Sequence, residues 1–285
     1  MASDIVITSD STTDLSPELR ERYNISVAPL GITLGDKVYT DGVDITPDDI
    51  YAHHAKTGEL PKTMATNVGD CLDFFKKFTD EGKTVIHFTI SSDMSSTYNN
   101  ACIAASELEN VYVIDTKNLS TGGGLLVVAA AEMLRDGLSA EEIVRKSTEL
   151  IPCVDASFVI DSLEYLYKGG RCSALAMFGA NLLKLKPCIQ VKNGKMDVSK
   201  KYRGKFEDVL KQYITEKAED YSDIVLDRVF ITHAGCDPEV AKNAAELAKK
   251  LAPFKEVFIT RAGCTVSSHC GANTLGILFI RKSPI

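Results

Sequence analysis

The first half of the chain alternates short apolar runs with capped, helix-like segments, and few folds accommodate that pattern. Ile5 to Thr8, Ser26 to Leu30, Val85 to Thr89 and Val111 to Asp115 read as strands. Between them lie helix signatures: Ser16 before Pro17, Thr46 before Pro47 with acids in the first turn, Val68 to Phe78, Ser95 to Leu108, and Gly122 to Arg135, apolar nearly all round. Ser and Thr cap free backbone N–H groups, and Pro suits the first helical position. Parallel strands need crossover connections, and the crossover helices cover both sheet faces. The alternation therefore predicts an α/β fold with a mostly parallel N-terminal sheet and helices on both faces.

The second half has another rhythm. Cys153 to Ile160 reads as a strand and Ser173 to Leu183 as a helix. Cys188 to Val191 and Met196 to Ser199 flank Asn193-Gly194, a strong hairpin signal because both turn positions require positive φ. Lys205 to Tyr221 has helical periodicity, followed by strand Val229 to Thr232, helix Pro238 to Leu251, and strands Val257 to Thr260 and Leu275 to Ile280. Hairpins mixed with helices indicate an α+β domain. We expect an N-terminal domain over residues 1–154 and a C-terminal one over 155–285, with segment 60–80 able to pack against the second. A chain of 285 residues can supply two cores.

Composition excludes several functions. The net charge of −7 repels phosphate backbones. The basic stretch Lys184, Lys186, Lys192, Lys195, Lys200, Lys201, Arg203 and Lys205 lacks interleaved aromatics, so no nucleic-acid partner is expected. The most apolar run, Leu125 to Ala131, is far short of the roughly 20 residues of a helical membrane span. No basic, apolar leader opens the chain, so a cytoplasmic location without stable membrane insertion is expected. Eight cysteines without a Cys-x-x-Cys pair read as buried, reduced thiols. Cys264, His269 and Cys270 lack a fourth ligand at suitable spacing, so no metal is expected.

Three loops concentrate hydroxyls ahead of helices: Ser9 to Thr13, Pro61 to Asn67 and Ser91 to Thr97. Such residues either cap the helix or grip an anion, because N–H donors and helix dipole point the same way. Thr121-Gly122-Gly123-Gly124 lacks the P-loop lysine and reads as a flexible helix entry. Among five histidines, His53 and His54 read as solvated and His87 as a core residue, while His269 stands in Ser268-His269-Cys270-Gly271 before the last strand. Arg171 follows a glycine turn, and Arg203 lies in a basic loop. Spacing alone leaves an anion site and ordinary capping both open.

Several segments, in this order, resemble the DegV family along nearly the whole chain. They are Ile7-Thr8-Ser9-Asp10-Ser11-Thr12-Thr13-Asp14, Pro61-Lys62-Thr63, Ile90-Ser91-Ser92-Asp93-Met94-Ser95-Ser96-Thr97, Leu163-Glu164-Tyr165-Leu166-Tyr167-Lys168-Gly169-Gly170-Arg171, and His269-Cys270-Gly271. The resemblance implies a two-domain fold that buries a long-chain fatty acid, with no cofactor and no catalytic residue. It implies a carboxylate held by Thr63, Ser95 and His269, with Ser92 nearby. It further implies a separate fatty acid kinase as partner, with Arg171 and Arg203 meeting the phosphate or that kinase. The chain departs from the family pattern at Met64, Thr66 and Asn67, at Ser96, and at Ala272 and Asn273, where head-group geometry can differ. A phosphotransferase or acyl-transfer enzyme of related fold is the alternative.

Overall fold

The computed structural model describes residues 4–172 and 185–285; the helix expected over Ser173 to Leu183 lies outside them. Strand β1 (Ile5–Asp10), helix α1 (Pro17–Tyr23) and β2 (Ser26–Ala28) open the chain, followed by β3 (Gly31–Leu34), β4 (Lys37–Thr40), α2 (Pro47–Thr57) and β5 (Lys62–Met64). Next come α3 (Val68–Thr79), β6 (Thr84–Thr89), α4 (Thr97–Ser106), β7 (Val111–Asp115), α5 (Thr121–Arg135) and α6 (Ala140–Leu150). The second half contributes β8 (Val154–Ile160), α7 (Glu164–Gly169), β9 (Lys186–Lys192), β10 (Lys195–Tyr202) and α8 (Phe206–Ala218). It ends with β11 (Arg228–Ala234), α9 (Pro238–Leu251), β12 (Glu256–Arg261), α10 (Cys264–Cys270) and β13 (Thr274–Ile280).

The expected parallel sheet is present, in the order β2-β1-β6-β7 with every pair parallel. A six-stranded mixed sheet, β10-β9-β8-β13-β11-β12, gathers the second half. The hairpin turns at Asn193 and Gly194, both at positive φ, as the dipeptide predicts. Caps behave as the sequence indicates: Ser16 accepts the Leu19 N–H, and Thr46 and Asp49 form a capping box. A third sheet, β4-β3-β5, is not foreseen in the strand reading. Its strands are three or four residues long, and the Pro61 segment read as a loop supplies one of them.

Helix α5 lies between the two large sheets, which explains its all-round apolarity. Every residue from Thr121 to Ala131 is buried, and the helix packs on β1, β8 and β13. One continuous core results, joining Ile7 and Phe88 of the first sheet to Phe158 and Leu278 of the second through Leu125 and Leu126. The second sheet's other face packs under α8 and α9 around Tyr213, Val229 and Phe279.

The glycine run at the start of α5 is close packing rather than a flexible entry. A Cβ at Gly124 would stand 2.9 Å from the Thr13 carbonyl oxygen, and one at Gly122 would meet Ala156 Cβ at 3.1 Å. Overpacking of this kind costs about 1–3 kcal/mol. Gly124→Val is therefore expected to lower the melting temperature by several degrees in calorimetry; an unchanged value would mean the helix can shift away freely.

Candidate functional site

The loops that follow β2, β6 and β7 meet β5, β10 and α10 around a cleft of about 430 Å³. Carboxyl ends of parallel strands are where open α/β sheets usually take ligands. The walls are mainly apolar, including Leu30, Ile90, Leu119 and Val266, with three of the six methionines, Met64, Met94 and Met196. Thioether chains are flexible and polarizable, so such walls adapt to an apolar guest. A smaller void of about 30 Å³ lies between the sheets; it shares Leu119, Val266 and Cys270 with the cleft and reaches Ala156, Phe158 and Leu278.

The polar groups of this wall come from distant parts of the chain, and Thr63 and His269 meet directly. Thr63, Ser95, His269 and Arg171 all line the cleft, although they are spread over more than 200 positions. Thr63 pairs opposite the fully buried Ile32 in the small sheet, which turns its side chain inward. Its hydroxyl lies 2.9 Å from His269 Nε2. Burial, with Arg171 nearby, pushes His269 down to about 4, so the imidazole is neutral at pH 7. Ser95 lies outside the helix expected to begin there; α4 starts at Thr97, and the Ser95 hydroxyl accepts the Thr97 N–H at 3.2 Å. The Arg171 guanidinium donates to the Gly169 carbonyl at 2.8 Å.

Two expected residues stand elsewhere. Ser92 is not among the lining residues, and its hydroxyl accepts from Lys117 Nζ at 2.8 Å. Arg203 is exposed and does not border the cleft. Conversely, Met196 and Thr265 line it without any local signal in the sequence, and Ser96, named as a departure from the family pattern, lines it too.

The Leu163–Arg171 motif and the His269-Cys270-Gly271 motif interlock. Gly271, at φ +71, lies so close under Tyr165 that a Cβ would come 2.7 Å from the ring. Gly170, at φ +68, ends α7 and turns the chain toward Arg171. His54 is not solvated: its ring packs edge-on against Tyr165, centroids 4.8 Å apart. His87 is the core residue its strand position suggests, 2.9 Å from the Thr8 hydroxyl and pushed by burial down to about 3.

The first hydroxyl loop is scaffold. Buried Asp10 accepts the Thr12 and Ile90 N–H groups and the Thr12 hydroxyl. Asp14 accepts the Ser120 hydroxyl and, at 2.8 Å, the Gly263 N–H, tying β1's loop to both α5 and the approach to α10. Burial pushes Asp14 up to about 8 and Asp10 to about 6. A folded-state pKa above the unfolded value means the native state holds the extra proton, so stability is lost as pH rises toward 8. His87 and His269, both pushed down, act oppositely: they lose stability as pH falls below about 6.5. Above that point Asp14 dominates, and stability should fall by up to about 1.4 kcal/mol per pH unit until pH 8. Asp14→Asn keeps an acceptor for Gly263 and should flatten this slope in urea unfolding between pH 6.5 and 8. A wild-type curve already flat there would contradict the assignment.

Among the described residues no disulfide joins the cysteines, and seven of the eight are buried. Among the described residues no group of His, Cys, Asp and Glu is placed to hold a metal, and no helix is long and apolar enough to cross a membrane.

A parallel α/β sheet and a mixed sheet clasping one helix, beside a mainly apolar cleft, define an α/β protein of the ligand-cleft class. A family model described as "Uncharacterised protein, DegV family" matches residues 4–282, and the chain belongs to the DegV family. It is similar to a DegV domain-containing protein of Caldanaerobacter subterraneus, 32% identical over 98% of this chain and 99% of that one. Its fold is similar to a stearic acid-binding protein from Eubacterium ventriosum, at TM-score 0.85 and 29% identity over 97% of this chain and 98% of that one. It is also similar to DegV of Bacillus subtilis, described as a fatty acid binding protein, at TM-score 0.84 and 28% identity over 99% and 100% of the two chains.

Proposed function

We propose that the chain is a cytoplasmic carrier that binds one long-chain fatty acid, its carboxylate held by Thr63, Ser95 and His269. The observation that carries this reading is the cleft's lining: uncharged Thr63, Ser95 and His269 with one arginine, among methionines and aliphatic side chains, and an adjoining void that shares Leu119, Val266 and Cys270. A carboxylate taken from water needs several donors to offset its desolvation. Each buried CH₂ of the tail contributes about 0.8 kcal/mol, enough for firm retention of a long chain. The fatty acids bound by similar DegV proteins support the same ligand class.

A carboxylate held by neutral groups keeps its oxygen nucleophilic. We therefore read the protein as presenting the bound acid to a separate fatty acid kinase, with Arg171 at the cleft and exposed Arg203 meeting the phosphate or the kinase surface. The alternative, acyl transfer by Thr63 or Ser95 with His269 as base, needs a third group to orient the imidazole. Nδ1 of His269 has no partner among the described residues.

Mass spectrometry of freshly purified, denatured protein tests the reading directly: about one fatty acid per chain is expected, and an empty protein or a phosphorylated polyol would refute it. Loaded protein with ATP alone should yield no acyl phosphate, whereas adding a fatty acid kinase should yield it.

A further inference from the structure

The two ring nitrogens of His269 have different surroundings. Nε2 faces the Thr63 hydroxyl at 2.9 Å, whereas Nδ1 is buried with no hydrogen-bond partner among the described residues. Gly169 stands against Nδ1, and a Cβ built on it would come only 2.5 Å from that atom and 3.4 Å from Cε1. Gly169 sits in the last turn of α7, where other residues are accommodated, unlike Gly170 at φ +68. Glycine at 169 thus answers a need for space beside the imidazole, not for an unusual backbone.

A neutral imidazole carries one N–H and one lone pair, and this ring is neutral at pH 7. A hydrogen on Nδ1 would be a buried donor with no acceptor among the described residues. A hydrogen on Nε2 meets the Thr63 oxygen and leaves only a lone pair unsatisfied, which proteins tolerate better than an orphaned N–H. The geometry points to a fixed Nε2–H tautomer of His269, set by the Thr63 hydroxyl at Nε2 and by the close packing of Gly169 against an unpartnered Nδ1, that makes Thr63 a donor toward the cleft. Having accepted from Nε2, the Thr63 hydroxyl must direct its own hydrogen elsewhere, and a carboxylate, which only accepts, is the head group that suits it. Gly169 is a positioning residue, acting through His269 and Thr63. The choice of ligand rests on the fatty acid reading; the tautomer does not.

Nitrogen-15 labelling of the histidines in the full chain decides the matter. Long-range proton–nitrogen correlation at pH 7, with His269 assigned by the signals lost in His269→Gln, should give the Nε2–H pattern. An Nδ1–H or imidazolium pattern would overturn the inference. In Thr63→Val, which removes the acceptor at Nε2, the preference for Nε2–H should weaken; a pattern unchanged from the parent would show that Thr63 does not take that hydrogen and would overturn the inference as well. Gly169→Ala should displace the His269 signals and weaken carbon-13-labelled palmitate retention by about tenfold or more, the loss expected for one hydrogen bond to a charged group. Unchanged His269 signals in folded Gly169→Ala protein would also refute it, and if that variant does not fold, the first two spectra still decide. A protein that binds no palmitate yet shows the Nε2–H pattern would sink the fatty acid reading and leave the tautomer standing.

Discussion

Asp41→Ala should cost several kcal/mol, because each buried donor left without its acceptor costs about 1–3 kcal/mol, and should lower the midpoint of urea unfolding accordingly. Asp41 is buried, and its carboxylate accepts from four donors. These are the Ser11 hydroxyl at 3.0 Å, the Cys264 N–H at 2.8 Å, and the Thr265 N–H and hydroxyl at 3.1 and 2.6 Å. Two of them are opening N–H groups of α10, whose own cap position is Gly263 and provides no side-chain cap. Asp41 caps this helix from 223 positions away. Alanine would leave all four donors without their acceptor in a dry place, and each such orphan is costly. Because α10 carries His269, the loss should also loosen the cleft. Native stabilities are commonly about 5–15 kcal/mol, so the variant would sit near the edge of folding. Asp41→Asn retains one carbonyl acceptor and should lose less. A loss under about 1 kcal/mol for Asp41→Ala would mean that water or a rearranged loop replaces the carboxylate.

His269→Ala and Ser95→Ala are expected to leave a folded protein that has lost its fatty acid. A hydrogen bond to a charged group contributes about 1.5–3 kcal/mol, so each variant should retain its ligand roughly ten- to hundredfold less tightly. Ser95→Ala also removes the acceptor of the Thr97 N–H, a net stability cost of about 1 kcal/mol. Ser92→Ala is the internal comparison: its hydroxyl is engaged by Lys117 away from the cleft, and binding should be unaffected. Ligand occupancy by mass spectrometry, paired with thermal unfolding, separates the outcomes. Variants at 95 and 269 that unfold, or a Ser92→Ala that releases ligand, would assign these hydroxyls and the imidazole to different roles.

Where sequence and structure agree, the controlling physics is local. The strands of the parallel sheet announce themselves by apolar runs between capped helices. Asn193-Gly194 announces its turn because few other pairs accept two positive φ values. Strand β13, buried throughout, reads as a nearly continuous apolar stretch because both faces of its sheet are covered, whereas the equally buried β8 is interrupted by Asp155 and Ser157. The small sheet escaped because strands of three or four residues leave no measurable alternation. His54 looked solvated on a polar helix, and only the fold brings Tyr165 beneath it.

The three hydroxyl-rich loops mark the limit of what local pattern can say. Ser9 to Thr13 and Ser91 to Thr97 have the same chemistry, yet the first stitches the scaffold through Asp10 and Asp14 while the second offers Ser95 to the cleft. Capping and anion binding use the same donors, so composition cannot separate them. Sequence by itself determined the fold class, the alternation that builds the parallel sheet and, through resemblance, the family, but not β3, β4, β5, α6, α7 or α10. Tertiary structure alone decided that Thr63, Ser95, Arg171 and His269 share one cleft while Ser92 and Arg203 do not. The reason is that a strand's register, a helix cap supplied from across the chain and a missing Cβ at Gly169 act between residues distant in sequence, where local pattern carries no signal.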